Sequence, residues 1–436
     1  MPGLIVAPGA RLRRVYRGWW IVWISYYSQV ITAGAGSWVF GSLILSMQGD
    51  LGWNQKTVVG VLILNRWISG LLSLALGPTV DRHGSRILMT GSALLAGVGL
   101  MTVSLAQSPL MFYAAWALFG AAQPGVNLLG PRVTISNWFV RKRTQAFVIL
   151  TVGGASAGFI AVPLAAQIDA HYGWRAVWMV LGLLCWTVAP LTWWAFRRRP
   201  EDIGLLPDGD HAVVAGKDLD GHEAAPKAVP LREAPWTVKE ALLTRSFWLL
   251  TLGFLCVGMP GSAIIINISG FMQGFGYSKE VGASVVSVYG LGVLGSRPVW
   301  GVLLSRLGLH RTLVAFAATY ATAILIFTLQ DGARLGIYIT TLSLGIAIGG
   351  SQLLNTQALP DYYGRRIVGS LTGFSQLANT AVGGSAPLLT AAVFDATGGY
   401  VPAFLFFAAA CVAAGVAFFF SPPPVHPSER SALASS

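Results

Sequence analysis

Apolar residues occupy this chain in long runs separated by short polar clusters rich in Arg, Gly and Pro. A helix needs about 18 or more predominantly apolar residues to cross a hydrocarbon layer roughly 30 Å thick. Twelve runs meet or approach that length. In the first half they are Trp20 to Met47, Val58 to Leu76, Ile87 to Leu105, Leu110 to Ile135, Ala146 to Ile168 and Ala176 to Phe196. In the second half they are Phe247 to Ile268, Val281 to Leu304, Leu313 to Leu329, Leu335 to Leu359, Ile367 to Val393 and Tyr400 to Phe420, the ninth being the shortest. The pattern predicts an all-α membrane protein of twelve transmembrane helices.

Composition agrees, with 54% hydrophobic and 11% charged residues among 436, where a soluble domain carries about a quarter charged. The net charge of +12 would suggest nucleic acid in a soluble protein, but the placement of the basic residues excludes that reading. With the N-terminus inside, 22 of the 29 Lys and Arg fall in cytoplasmic segments, while Lys56, Arg175, Lys279 and Arg334 fall in external loops and Arg66, Arg132 and Arg297 within helices. That asymmetry orients both termini toward the cytoplasm and suits a plasma (inner) membrane. The first run is too long for a signal-peptide core and lacks a cleavage site of small residues, so it reads as a retained span. Cys185, Cys256 and Cys411 lie in separate spans and suggest neither disulfides nor a metal site. No cofactor is expected, and the expected oligomeric state is a monomer.

An internal repeat divides the chain. GPTVDRHGSR from Gly77 recurs as GVLLSRLGLHR from Gly301, so that Gly77, Arg82 and Gly84 meet Gly301, Arg306 and Gly308 at an offset of 224. NWFVRKR after the fourth span and DYYGRR after the tenth hold nearly the same offset, and DAHYGWRAVW and DATGGYVPAF agree at 226. Three loops in register indicate two six-helix units, residues 1–196 and 246–421. Residues 197–245 should form a mobile cytoplasmic linker, and 422–436 a cytoplasmic tail. Thr237 followed by Glu240 is a capping-box pattern and predicts a short surface helix before span seven.

Gly77-x-x-x-Asp81-Arg82-x-Gly84-x-Arg86, its echo at Gly301, and the GWR step at Gly173 resemble the major facilitator superfamily over nearly the whole chain. RRRPEDIGLLPDG after span six and the Arg297-Pro298 pair resemble its monocarboxylate and oxalate/formate branch. The resemblance implies two pseudo-symmetric bundles with binding near the midplane between them. It also implies a gating role in alternating access for Gly77, Asp81, Arg82, Gly84, Arg86, Gly301 and Arg306. From the residues alone, Asp81 can face the positive end of a neighbouring helix, although Arg82 and Arg86 are also explained as charges flanking a span. Ser305 replaces the acid in the second copy, which should weaken that latch.

Two enzyme-like patterns fail on context. Gly154-Ala155-Ser156-Ala157-Gly158 sits in an apolar span without a preceding strand or a base. Gly290, Gly292 and Gly295 lack the βαβ unit that a dinucleotide fingerprint requires, and close helix packing explains them.

The intramembrane arginines carry the functional argument, because a helix-centre arginine costs roughly 2.5–3.5 kcal/mol even on the lenient insertion scale. Arg132 lies about 9 Å from the interface by helical rise, within snorkelling reach. Arg66 and Arg297 lie about 16 and 13 Å in. All 17 acids and all six histidines are in loops or at span ends, so no protein carboxylate waits for Arg297. Its guanidinium cannot shed its charge and needs carbonyls around the Pro298 kink, water, or an anion that comes and goes. A carboxylate accepts two parallel guanidinium hydrogen bonds. The expectation is therefore a transporter of a small organic anion, a mono- or dicarboxylate, with the lipid bilayer as its other partner. Arg297 would be the main ligand and Arg66 a second positive site, with Tyr26, Tyr27, Asn127, Asn267, Tyr289, Gln352, Gln376 and Asn379 as candidate polar lining. The alternatives are a drug or other-solute efflux protein and a non-transporting receptor on the same fold. Val293 stands where proton-coupled monocarboxylate carriers have an acid, and span eleven lacks the lysine of oxalate exchangers, so neither mechanism carries over whole.

Overall fold

The structure, a computed structural model, describes residues 16–209, 236–383 and 386–426. These residues form twelve crossings and no strand. In the first half α1 is Arg17–Leu51, α2 Gln55–His83, α3 Arg86–Ser104 and α4 109–138. The continuous stretch Arg143–Ala195 is broken at Gly173 (φ 77°) into α5 (143–172) and α6 (174–195). In the second half α7 is Arg245–Gly274, α8 Lys279–Leu307, α9 Leu309–Thr328 and α10 Arg334–Tyr363. Val368–Gly383 and Ala386–Thr397 make up α11, and Val401–Phe419 is α12. Helix ends run past the apolar runs, because polar ends can sit at the interface. The ninth crossing gains its length at its start, where Gly308 at φ 76° sets the boundary.

Local chemistry explains the boundaries. Asn54 caps α2 by accepting from the Thr57 N–H at 2.7 Å, and Ser108 caps α4 ahead of Pro109, whose missing N–H costs nothing in a first turn. The repeat is visible in backbone geometry as well: Gly84 and its counterpart Gly308 share a positive φ (81° and 76°) that only glycine adopts without strain.

Each half packs around aromatic side chains, Trp116 with Phe40, Phe112 and Trp178 in the first, and Phe271 with Phe327 and Phe404 in the second. Tyr16 donates to Trp138 O and Leu206 O. This places the start of α1, the end of α4 and the turn after α6 on one face, called here the terminal face. In the second half Ser246 donates to Pro422 O and Tyr362 to Ser421 O, which brings the start of α7 and the ends of α10 and α12 to that face. On the opposite face Asp50 accepts from the Trp174 indole at 3.0 Å and pairs with Arg175, whose other nitrogen donates to Ala106 O. The GWR step thus ties α6 to the end of α1.

The expected mobile linker is corrected at its beginning. Residues 197–209 are bound down: Trp138 and Asn137 donate to Arg197 O and Arg198 O, and Asp208, 4% exposed at φ 63°, accepts from the Val140, Arg141 and Lys142 N–H groups. Residues 210–235 lie outside the described residues, as do 1–15 and 427–436. Beyond the gap, Thr237 and Glu240 form a reciprocal capping box on Val238–Leu243. The Glu240 carboxyl is held below its usual range by the Thr237 hydroxyl, then by the Thr237 N–H and the His426 charge.

Candidate functional site

The bonds joining the halves gather at the terminal face. Asp81, near the end of α2, accepts from the Gly369 and Ser370 N–H groups at 2.8 Å each and from the Ser370 hydroxyl at 2.7 Å. It therefore caps α11 across the seam, a carboxylate on the positive end of a helix. The approach is close, since a Cβ on Gly77 would lie 2.5 Å from Gly369 O. Ser305, the counterpart of Asp81, is exposed and bonds only Val302 O of its own helix. The turn 140–142 just ahead of α5, whose start corresponds by repeat to the α11 start, is held instead by Asp208 from its own half. Nearby, Arg143 pairs with Asp361 at 2.9 Å and Gln357 donates to Thr144. Arg365 donates to Asn137 O and pairs with Glu201 at 3.0 Å. Arg86 turns away, bonding Trp193 O and stacking on its ring.

The three intramembrane arginines separate by their partners. Arg132 does not snorkel. It is 4% exposed and reaches across the seam to Asn355 Oδ1 (2.9 Å), Thr356 Oγ1 (3.2 Å) and Thr372 Oγ1 (3.2 Å). Thr356 is its own counterpart at the repeat offset, so the guanidinium spans the pseudo-twofold relation. A side chain in the last turns of α4 finds these neutral oxygens nearer than water.

Arg297 is 7% exposed, and its Nε and Nη1 have no hydrogen-bond partner among the described residues. Two neighbours fix its direction. Gly290 faces Phe159 of α5, and Gly301 faces Val148 of α5. Residues 290, 297 and 301 share one helical face, so Arg297 points toward α5 of the other half, where Val152 and Ala155 lie between those contacts. The two nitrogens do not bond the carbonyls around the Pro298 kink. Arg66 extends the α2 face that meets α11 at Gly70, Ser73 and Gly77, one turn beyond the last contact, Gly70 against Thr380. It is exposed there and has no described hydrogen bond.

The predicted polar lining divides. Asn127 sits in a π-turn of α4, Pro124–Leu128, donating to Gln123 Oε1 while its carbonyl accepts from Gln29 at 2.7 Å. Tyr26 packs against Gly153 of α5 through its carbonyl and its ring. Asn267 and Asn379 are half-buried and bond their own helices, Gln376 is half-buried and Gln352 exposed. Two candidates are displaced. The Tyr27 hydroxyl bonds the exposed Thr187 between α1 and α6, and Tyr289 is buried, its backbone carbonyl against Gly345 of α10. Gln29, Gln123 and the Trp38 indole, which donates to Gly154 O, were missed. Only a polar residue inside an apolar run marked the glutamines. Ser156 bonds Val152 O in its own helix and Gly292 packs on α10. Among the described residues no His, Cys, Asp and Glu group could hold a metal.

Twelve crossings in two repeat-related bundles, joined at one face, define an all-helical membrane protein of the two-bundle class. The chain belongs to the Major Facilitator Superfamily, whose model matches residues 27–387 and again 272–435. It is 28% identical to the membrane sensor protein UhpC of Salmonella typhimurium over 46% of this chain and 43% of that one. It is 26% identical to the oxalate:formate antiporter of Oxalobacter formigenes over 66% and 64%. Both matches span less than two thirds of those relatives. The proton:xylose symporter XylE superposes with a TM-score of 0.72 at 11% identity over 93% of this chain and 96% of that chain, a likeness of fold.

Proposed function

We propose that this protein moves a small organic anion, a mono- or dicarboxylate, across the plasma (inner) membrane by alternating access. The carrying observation is the buried Arg297, whose Nε and Nη1 have no hydrogen-bond partner among the described residues. An unneutralised guanidinium at that depth is costly, and a carboxylate entering between the halves would supply both the charge and the paired acceptors it lacks. Arg66 provides a second positive charge on the same seam. The polar turn of Asn127, Gln123 and Gln29, with Asn267, Gln376 and Asn379, supplies neutral contacts.

In this reading the terminal face is cytoplasmic, and Asp81, Arg132, Arg143 and Arg365 hold it shut while the opposite side admits the solute. Gly77, Gly84 and Gly301 allow close approach and sharp turns, and Arg82, Arg86 and Arg306 mark the cytoplasmic boundary. The likeness to an oxalate:formate antiporter supports an anionic substrate. A drug-cation exporter would need a carboxylate at depth, where the described residues offer none. A receptor on the same fold is favoured by the likeness to a membrane sensor, and uptake decides between them. Purified protein in proteoliposomes, offered a panel of labelled mono- and dicarboxylates, should accumulate at least one. Saturable binding without uptake would support the receptor, and neither binding nor uptake would overturn the anion reading.

A further inference from the structure

A cavity of about 530 Å³ opens at the terminal face where the halves meet, away from Arg297. Its walls come from both sides: Pro78, Asp81 and Arg82 of α2 with Arg198 and Arg199 after α6, against Arg366, Ile367, Ser370 and Phe374 around the start of α11. Four guanidiniums therefore meet one carboxylate, and that carboxylate is already engaged by the Gly369 and Ser370 N–H groups. Arg198 spends one nitrogen on Asp81 O. Arg82 and Arg366 are exposed and have no described hydrogen bond, and the Nε of Arg199 is buried with no partner among the described residues. Burial first, then the charges of Arg198, Arg365 and Arg366, lower the pKa of Arg199, so the cluster repels itself. Apart from Ser370 the rest of the wall is apolar, and it includes the exposed Pro78 and Phe374.

We infer that this cavity binds a phosphate-bearing anion held between arginines of both halves, and that its occupancy keeps the terminal face closed. Guanidiniums engage phosphate oxygens in a fork, and basic pockets between transmembrane helices on the cytoplasmic side suit phospholipid headgroups. An acyl chain would lie along Pro78 and Phe374, whereas a soluble phosphate would use the arginines alone. Because Arg198 and Arg199 belong to one half and Arg366 to the other, a ligand spanning them binds only when the seam is shut, and must favour that state by its differential affinity. Binding stands apart from the transport reading, while the effect on the seam rests on it.

The test uses the full chain, wild type, Arg199→Gln/Arg366→Gln, and Arg311→Gln as an exposed terminal-face arginine outside the cavity. After exchange through phosphatidylcholine vesicles with and without phosphatidylglycerol, native mass spectrometry reads the retained lipid, and a titration with inorganic phosphate covers the soluble source. Wild type and Arg311→Gln should retain phosphatidylglycerol or bind phosphate, and the double variant should lose affinity by roughly tenfold or more. Whichever ligand shows that loss identifies the source. Equal retention in all three proteins, an equal loss in Arg311→Gln, or no binding of either ligand overturns the site. Should the double variant fail to fold, Arg366→Gln alone makes the comparison at an exposed side chain. For the seam, spin labels at His83→Cys and Leu307→Cys should shift toward a single short separation when the ligand binds. Binding with an unchanged distance distribution overturns the closing role, and leaves the transport reading to the uptake assay.

Discussion

Arg132 and Arg297 are the same side chain at similar cost, yet one is satisfied and the other is not. Arg132 has three neutral oxygens across the seam, which suffice for a guanidinium that need never release them while the terminal face is shut. Arg297 has small and apolar neighbours on α5 and two idle nitrogens. The two should therefore respond differently to the same substitution. Arg297→Lys retains the charge but loses the planar fork, and should weaken anion binding by roughly 1.5–3 kcal/mol in a protein of normal folded yield. Arg132→Lys, remote from the anion in this conformation, should leave that affinity unchanged. Calorimetric titration of both variants checks this, and wild-type affinity in a well-folded Arg297→Lys protein would return that residue to a structural role.

Among the elements, the starts of α11 and α5 occupy equivalent places in the repeat but are held from different sources: Asp81 caps α11 across the seam, and Asp208 holds the 140–142 turn ahead of α5 from its own half. Loss of a capping acceptor costs about 0.5–2 kcal/mol. Asp81→Ala should speed amide hydrogen exchange in 368–372 by roughly three- to thirtyfold and leave 139–143 unchanged. Asp208→Ala should do the reverse. Acceleration of both segments in either variant would mean general unfolding rather than loss of a cap. A further expectation is that only Asp81→Ala, and not Asp208→Ala, raises the rate at which a cysteine at Ser370 reacts from the terminal side, because only the Asp81 contact spans the two halves.

For the whole molecule, two predictions concern sidedness and coupling. A cysteine in place of Leu243, exposed on the helix after the linker, should resist an impermeant thiol reagent in intact cells and react after permeabilisation. Rapid labelling from outside would invert the assigned topology. The second follows from the absence of a carboxylate or histidine at depth among the described residues. Anion-for-anion exchange in proteoliposomes should proceed with pH clamped equal on both sides. No exchange, together with concentrative uptake driven by an inward proton gradient, would require a proton site outside the apolar runs.

By itself, the chain determined its solvent, its number of crossings and its twofold repeat, because apolar length and loop spacing are one-dimensional quantities set by membrane thickness and by duplication. It also singled out Arg66 and Arg297, since a charge within an apolar run is conspicuous wherever it points, and Asp81 through the loop motif that carries it. Direction was decided only by packing. A helix presents every side chain somewhere, and neighbours remote in sequence determine where: Thr356 and Thr372 turned Arg132 from a snorkelling residue into a cross-link, Thr187 drew Tyr27 to the outer surface, and α10 enclosed Tyr289. Likewise, the linker composition gave no sign that Asp208 would fold back onto the 140–142 turn, because the N–H groups it accepts from lie more than sixty positions earlier in the chain.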